Sequence, residues 1–245
     1  MGVEKMMENR LAYIEEQAKL LDIVLTGTQA EQLYRYYELL VDWNRRMNLT
    51  GITEFQEVVQ KHFIDSLSLV KAAKLSSVET LIDVGTGAGF PGLPLKIVFP
   101  HLKVTLLDSL NKRIQFLDHV IEQTGLEGVQ TIHGRAEDQA KPGMLRESFD
   151  LCVSRAVANL STLCEYCIPF VKIGGAFVSY KSGEVQEELD QARSALFLLG
   201  GKLEDCLTFW LPQSEIGRSL ITIGKVGGTP KKYPRKSGLP SKSPL

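Results

Sequence analysis

The sequence DVGTGAGFPG, residues 83–92, lies between a short apolar run, TLIDV (80–84), and a segment of helical periodicity that Pro100 ends. Glycines let the backbone turn sharply and let a ligand approach the main chain. The helix that follows presents free N–H groups and the positive end of its dipole at the same turn. The stretch therefore predicts a first parallel strand, a ligand-binding loop and a helix. The alternative is a tight strand–helix turn that binds nothing.

The glycine spacing within this loop limits the ligand. Gly85, Gly87 and Gly89 form G-x-G-x-G, and Phe90 stands where a dinucleotide fingerprint has its third glycine. This departure disfavours a nicotinamide dinucleotide. Asp83, at the end of the strand, could hold the ammonium group of a zwitterionic ligand.

Strands and helices alternate downstream of the loop. Further strands are predicted at 104–108, 129–133, 149–153 and 176–180. Two more apolar segments, around 202–211 and 219–226, are joined by a polar loop and suit an antiparallel pair. The alternation predicts an α/β, Rossmann-like fold with a mostly parallel seven-stranded sheet and helices on both faces.

The chain divides into three parts by composition. Residues 1–75 show helical periodicity and form a helical N-terminal extension, with capping boxes expected at Thr28–Glu31 and Thr53–Gln56. Residues 76–226 form the Rossmann-like core. Residues 227–245 are basic and rich in proline, so we expect this tail to lie extended on the surface without packing into a core.

Composition excludes several classes of protein. The 245 residues are 44% hydrophobic and 23% charged, as in soluble globular proteins. No apolar run is long enough for a membrane span, and the N-terminus lacks a secretory signal, so a cytoplasmic protein without membrane contact is expected. The four histidines have no metal-ligand spacing, and no metal is predicted.

One cysteine pair has CxxC spacing. Cys164 and Cys167 share a helical face with Leu160, Leu163 and Ile168. This periodicity predicts a buried helix face in preference to a metal or redox site.

An acid and a serine follow the second predicted strand. Asp108 lies 23 residues after Gly85, a spacing at which a carboxylate can accept hydrogen bonds from both ribose hydroxyls of an adenosyl ligand. Ser109 could line the same site or cap the next helix.

Charged residues also follow the third, fourth and fifth strands, whose carboxyl ends face the ligand crevice in this fold. Ala136 and Glu137 are placed near an adenine ring, with a solvated loop as the alternative. Arg155 could bind an anionic group or stack on a base, and its alternative is a structural ion pair. Lys181 is a weaker candidate of the same kind.

Several catalytic patterns are absent from the sequence. No [DNS]-P-P-[FYW] follows the fourth strand, and there is no Pro-Cys nucleophile, Walker A loop or Gly-x-Ser-x-Gly elbow.

These motifs together resemble the bacterial small-subunit (16S) ribosomal RNA guanine-N7 methyltransferases, also called the glucose-inhibited division protein B family. The resemblance covers nearly the whole chain. The matching segments are WNRRMNLT (43–50), HFIDSL (62–67), DVGTGAGFPG (83–92), LDSLNKR (107–113), RAED (135–138), SRAVANL (154–160) and the tail.

The resemblance implies a class I methyltransferase with S-adenosyl-L-methionine as cofactor and S-adenosyl-L-homocysteine as product. The cofactor residues implied are Gly85, Phe90, Asp108, Ala136, Glu137 and Arg155. It also implies one methyl group placed on ring nitrogen 7 of a single guanine. Because that nitrogen carries no proton in neutral guanine, no general base is expected, and catalysis would be mainly alignment. No catalytic residue is assigned. Arg155 and Lys181 are candidates for positioning the substrate.

The distribution of charge fits a polyanionic partner, ribosomal RNA or the small ribosomal subunit. The net charge is −1, but the segment from Lys225 onward has six basic residues and no acid. The RNA-binding candidates are Arg45, Arg46, Lys181, Lys231, Lys232, Arg235 and Lys236. A solubilising tail, a small-molecule or protein acceptor, and a non-catalytic regulator that binds an adenosyl ligand are the alternatives. A monomer is favoured.

Overall fold

A computed structural model of the protein describes residues 2–155 and 158–245. Ala156 and Val157, part of the SRAVANL motif, lie outside the described residues. A seven-stranded sheet has the order β3-β2-β1-β4-β5-β7-β6. Strands β1 to β5 are parallel, and β7 runs antiparallel to both β5 and β6. The strands are β1 Thr80–Val84, β2 Lys103–Asp108, β3 Val129–His133, β4 Phe149–Ser154, β5 Val171–Lys181, β6 Gly201–Trp210 and β7 Gly217–Lys225. The predicted fold class is confirmed.

Helices precede the sheet and cover both of its faces. The α-helices are α1 Gly2–Lys19, α2 Gly27–Met47, α3 Phe55–Val58, α4 Asp65–Leu67, α5 Gly92–Val98, α6 Asn111–Thr124, α7 Ala136–Gln139, α8 Leu160–Cys167, α9 Gln186–Leu199 and α10 Leu239–Lys242. A π-helical turn, Val59–Ile64, joins α3 to α4. Short 3₁₀ turns span Ser68–Lys71, Leu75–Ser77 and Ile168–Phe170. In the part of the chain that is described, no helix is long and apolar enough to cross a membrane.

Two apolar cores sandwich the sheet because successive strand residues point to opposite faces. Leu81 packs into the core beneath α1, α2, α5 and α6, whereas Ile82 packs into the core beneath α8 and α9. The predicted cysteine-bearing helix face is confirmed, since Leu160, Leu163, Cys164, Cys167 and Ile168 are all buried in the second core.

Both predicted capping boxes are misplaced. Helix α2 is capped by Thr26, which exchanges hydrogen bonds with Gln29, instead of by Thr28. A tertiary contact explains why Thr26 is the cap. The side-chain amide of Gln29 also donates to the carbonyls of Ile97 and Val98 at the end of α5. Helix α3 is capped by Glu54, not Thr53, through a 2.8 Å bond from the Glu57 amide.

The C-terminal tail is folded, which corrects the expectation of an extended surface segment. Tyr233 is buried in the second core, and Arg235 forms a 2.6 Å ion pair with Glu165 of α8, whose side chain is 1% exposed. The amide of Gly238 donates to Glu137. Proline content alone does not predict these contacts. They form because the buried Glu165 carboxylate requires a cation, which the tail supplies.

The tail ion pair gives a stability prediction. Replacing Arg235 with alanine should lower the free energy of unfolding by about 2–4 kcal/mol, because it leaves the buried Glu165 carboxylate without its cation. Urea unfolding of the wild type, Arg235→Ala and the exposed neighbour variant Lys236→Ala measures this. Equal stability of the two variants would mean that the pair contributes little.

Candidate active site

The glycine loop between β1 and α5 has the conformation its sequence requires. Gly85, Gly87 and Gly89 have φ angles of 73°, 63° and 97°, in the left-handed region that favours glycine. The amides of Gly85 and Thr86 donate to the Leu107 carbonyl of β2 at 2.9 and 3.2 Å. The loop is thereby held across the ends of β1 and β2.

Asp83 lies beneath this loop, not in the cavity above it. Its side chain is fully buried, and Oδ2 accepts hydrogen bonds from the Thr86 hydroxyl at 2.7 Å and the Gly92 amide at 2.9 Å. Its Oδ1 has no hydrogen-bond partner among the described residues. Burial raises the pKa of Asp83 to about 6. The position suits an anchor for the loop, and Asp83 is not among the residues that line the cavity above it.

Gly89 is required by packing. A Cβ atom there would approach Leu93 Cδ1 to 2.6 Å, the Tyr36 hydroxyl to 2.7 Å and Leu117 Cδ2 to 2.9 Å. Tyr36 of α2 is fully buried and donates its hydroxyl hydrogen bond to the Ala88 carbonyl. The helical extension therefore supports the loop directly, a contribution that the sequence analysis missed.

A cavity of about 640 Å³ lies over the loop at the carboxyl ends of the strands. The predicted residues on its wall are Gly85, Gly87, Phe90, Asp108, Ser109, Ala136, Glu137 and Arg155. Lining residues that the sequence analysis did not single out include Thr50, His62, Arg113 and Tyr166. The structure thus brings most of the predicted cofactor residues together, while Asp83 and Gly89 support the loop from below.

Asp108 is held by several donors at the wall of this cavity. Its Oδ2 accepts from the Gly87 amide at 2.9 Å, and its Oδ1 accepts from the Leu110 amide at 2.9 Å. Arg113, in the first turn of α6, lies 3.1 Å from Oδ2. These donors fix the carboxylate at the end of β2, and the residue is 3% exposed.

The third-strand loop contributes α7 to the cavity wall. Ala136 and Glu137 both line the cavity, but Glu137 Oε1 accepts the 2.8 Å hydrogen bond from the Gly238 amide of the tail. The neighbouring Asp138 is half-buried and pairs with Lys141 at 2.6 Å.

Arg155 follows β4 and lies at the edge of the cavity. Its guanidinium donates to Asp65 Oδ2 at 2.8 Å and to the Lys61 carbonyl at 3.1 Å, and it stands 5.1 Å from the centre of the Phe90 ring. The His62 ring stacks on Phe90 with 4.6 Å between ring centres. A cation and two flat rings therefore form this corner.

Asp65 is a site residue that the sequence analysis missed. Its side chain is 2% exposed, and its second oxygen, Oδ1, accepts from Arg218 Nε of β7 at 2.9 Å. The signal was present in HFIDSL (62–67), where a carboxylate interrupts an apolar helical stretch. A buried acid of this kind needs cations, and here it fixes two arginines.

A second cavity, of about 730 Å³, adjoins the first and shares His62 and Arg155 with it. Lys181, at the end of β5, lines this second cavity and donates to Glu188 at 2.6 Å and to the Ala158 carbonyl at 2.5 Å. The Lys181 side chain is 10% exposed, so it faces the cavity and not open solvent.

The remaining RNA-binding candidates differ in exposure. Arg45 and Arg46, at the end of α2, have side chains that are 75% and 79% exposed. Lys231, Lys232 and Lys236 are exposed on the tail. Arg235 is occupied by its ion pair with Glu165. Of the RNA-binding candidates, Arg45, Arg46 and these three lysines are thus the accessible cations.

His62 gives a pH prediction. Burial and the nearby Arg155 lower its pKa to about 4. Between pH 6.5 and 4 the unfolded chain would bind a proton at this position that the folded chain does not. Stability from His62 should therefore be present above pH 6.5 and be lost, by up to about 3 kcal/mol, as the pH falls to 4.

Comparing wild type with His62→Gln isolates this effect. Asp83 acts in the opposite sense, because its raised pKa favours the fold at low pH and loses that contribution as the pH rises through about 6. Asp83 is present in both proteins and cancels in the difference. Unfolding free energies of the two proteins are measured from pH 4 to 7. If His62→Gln is the less stable protein at pH 7, the difference between the two free energies should shrink as the pH falls. A pH-independent difference would contradict the prediction.

Comparisons with known proteins agree with this geometry. The sequence model of the GidB family, described as rRNA small subunit methyltransferase G, matches residues 29–216. A protein of Lachnoclostridium phytofermentans named ribosomal RNA small subunit methyltransferase G is 56% identical over 225 residues, which cover 92% of this chain and 93% of that protein. A protein of the same name from Alkaliphilus metalliredigens is 48% identical, over 98% of this chain and 100% of its own.

Solved structures confirm the fold at lower identity. The YcgJ protein of Bacillus subtilis superposes with a TM-score of 0.52 at 14% identity, covering 68% of this chain and 100% of its own. TrmN of Thermus thermophilus gives a TM-score of 0.51 at 15% identity, covering 68% of this chain and 53% of its own.

Proposed function

This chain belongs to the rRNA small subunit methyltransferase G family, and from that membership we propose that it methylates ring nitrogen 7 of a guanine in 16S ribosomal RNA, with S-adenosyl-L-methionine as methyl donor. The observation that carries the proposal is the adjacency of two cavities that share His62 and Arg155. One has residues suited to an adenosyl group, and the other has walls of mixed charge and room for a base.

The first cavity fits the cofactor by the chemistry of its walls. Asp108 offers two ordered carboxylate oxygens to a pair of ribose hydroxyls. The glycine loop brings main-chain groups close to the ligand, and Ala136 and Glu137 form a wall suited to adenine. Arg155, which lines both cavities, stands beside the Phe90 ring of this one.

The chemistry makes few demands on the protein. When bound, S-adenosyl-L-methionine supplies a methyl group whose bond to a positively charged sulfur breaks as the lone pair of guanine nitrogen 7 forms the new bond. No proton has to leave the nitrogen, so the chain needs no general base. Its residues instead hold the base and the donor in line and exclude water, contributions that reach effective molarities of about 10⁵–10⁸ M in favourable cases.

The partners follow from the substrate. Accessible cations on α2 and the tail, Arg45, Arg46, Lys231, Lys232 and Lys236, would contact phosphates of the rRNA or of the small subunit. Lys181 would act within the second cavity. A ribosomal substrate would place the protein in the cytoplasm, and we propose that it acts as a monomer.

Methyl transfer tests the proposal. Small ribosomal subunits and free rRNA that lack the modification are incubated with the protein and labelled S-adenosyl-L-methionine, and the RNA is digested to nucleosides. Label in 7-methylguanosine is the expected result, with no uptake by subunits that already carry the modification. Label in another nucleoside would overturn the assignment of nitrogen 7. No label, despite cofactor binding, would point to a non-RNA acceptor or a regulator.

A further inference from the structure

The second cavity has a wall that the cofactor residues do not account for. It opens beside the ends of β4 and β5, and its residues beyond the shared His62 and Arg155 include Asn159, Lys181, Ser182 and Glu188. In the proposed function, the acceptor base occupies this space with its nitrogen 7 toward the shared residues. The remaining wall would then face other edges of the base.

Two acids line this cavity, and they differ in what they have left to bind. Both oxygens of Asp65 are taken, one by Arg155 and one by Arg218. Glu188, in the first turn of α9, uses only Oε2, which accepts from the Leu160 amide at 2.9 Å and from Lys181 Nζ at 2.6 Å. Its Oε1 accepts no hydrogen bond from any described residue. Glu188 is 35% exposed and lies on the cavity wall.

We propose that Glu188 determines the specificity for guanine by binding the Watson–Crick edge of the base. Guanine presents two donors there, the ring N1–H and the exocyclic N2 amine, and a carboxylate oxygen accepts from such donors. Adenine presents a lone pair at N1 instead, which a carboxylate repels. Lys181, fixed against Glu188, supplies a donor suited to the O6 oxygen, the acceptor on that edge. This proposal rests on the proposed function and identifies how its site would select the base.

A carboxylate at this edge also assists the reaction. Methylation of nitrogen 7 leaves the guanine ring positively charged, and the charge makes the N1–H a stronger donor. The hydrogen bond to Glu188 therefore strengthens as the new bond forms, which is the condition for lowering the barrier and not merely for binding.

A purely structural role for Glu188 predicts a different pattern. If the residue only held Lys181 and the start of α8, its loss would slow methylation of every acceptor base by the same factor. A role in reading the base makes the loss depend on which donors the base carries. The ratio between two substrates, measured in one variant, separates these cases because any partial folding defect cancels.

Substrate RNA carrying either guanine or inosine at the methylated position provides that ratio. Inosine keeps nitrogen 7 and the N1–H but lacks the N2 amine. Wild type should prefer guanine by about 10-fold to 100-fold in kcat/KM, as expected for one hydrogen bond to a charged group. In Glu188→Ala the preference should fall to within about threefold, and Glu188→Gln should lie between. The matched control is Glu187→Gln, an exposed neighbour on α9 that should keep the wild-type ratio.

The outcomes separate this inference from the proposed function. A wild type that methylates the guanine substrate without preferring it over inosine would overturn the inference alone. So would a full guanine preference in both Glu188 variants. A wild type that methylates neither RNA would overturn the proposed function, and the inference with it.

Discussion

Asp108→Asn should weaken binding of S-adenosyl-L-methionine by about 100-fold. The carboxylate is held by the Gly87 and Leu110 amides, so its orientation is set before the ligand arrives. Asparagine keeps the shape but loses the charge and one acceptor oxygen, which removes about 2–3 kcal/mol of interaction with two ribose hydroxyls. Isothermal titration of the cofactor measures the change directly.

The control for this variant is Asp205→Asn, an exposed acid on the edge strand β6. It should bind the cofactor like wild type. Unchanged cofactor affinity in Asp108→Asn, in a variant that melts like wild type, would remove Asp108 from the ribose site.

Arg155→Ala should lower methyl transfer to the RNA substrate by at least about 100-fold. The guanidinium is oriented by Asp65 and by the Phe90 ring and lines both cavities, so its removal takes away a fixed hydrogen-bond donor that would position the acceptor base beside the methyl group. Arg155→Lys should restore only part of the rate, because an ammonium group cannot reproduce the contacts of the planar guanidinium with both Asp65 and the Phe90 ring. Single-turnover methylation with labelled cofactor measures both variants.

The fold should tolerate this substitution. Asp65 keeps its ion pair with Arg218, so the buried carboxylate is not left alone. Arg193→Ala, at a side chain that is 78% exposed on α9, serves as the control and should retain full activity. If Arg155→Ala kept both cofactor affinity and turnover, Arg155 would have a purely structural role.

The sequence predicted those parts of the molecule that local patterns determine. The strands followed from apolar runs, and the ligand loop followed from three glycines within five residues, because backbone conformation there depends on neighbours in the chain. Asp108 could be placed because the first two parallel strands of such a fold end beside each other.

Long-range pairing determined the rest. Asp65 meets Arg218 across 153 positions of sequence, and Glu188 becomes a cavity residue only when α9 packs beside the end of β5. The predicted N-caps of α2 and α3 were wrong by two residues and one residue. For α2, contact with α5 selected Thr26 over an equally good Thr28. The charge and proline content of the tail predicted a solvated segment, but they did not predict that the tail covers the buried acid Glu165.

The folded tail has a consequence for the dynamics of the cofactor site. Its hydrogen bonds to Glu165 and Glu137 close loops of 70 and 101 residues. Ordering the tail therefore costs loop-closure entropy, and this cost is offset only once the sheet that the tail packs against has formed. The tail should therefore be among the last segments to become ordered during folding and among the first to unfold locally in the native protein. Because Glu137 lines the first cavity, where we propose that the cofactor binds, a bound ligand that steadies α7 also favours the closed tail. Hydrogen exchange at the Gly238 amide should then slow on cofactor binding, so that a backbone proton in the tail reports the occupancy of the cofactor cavity.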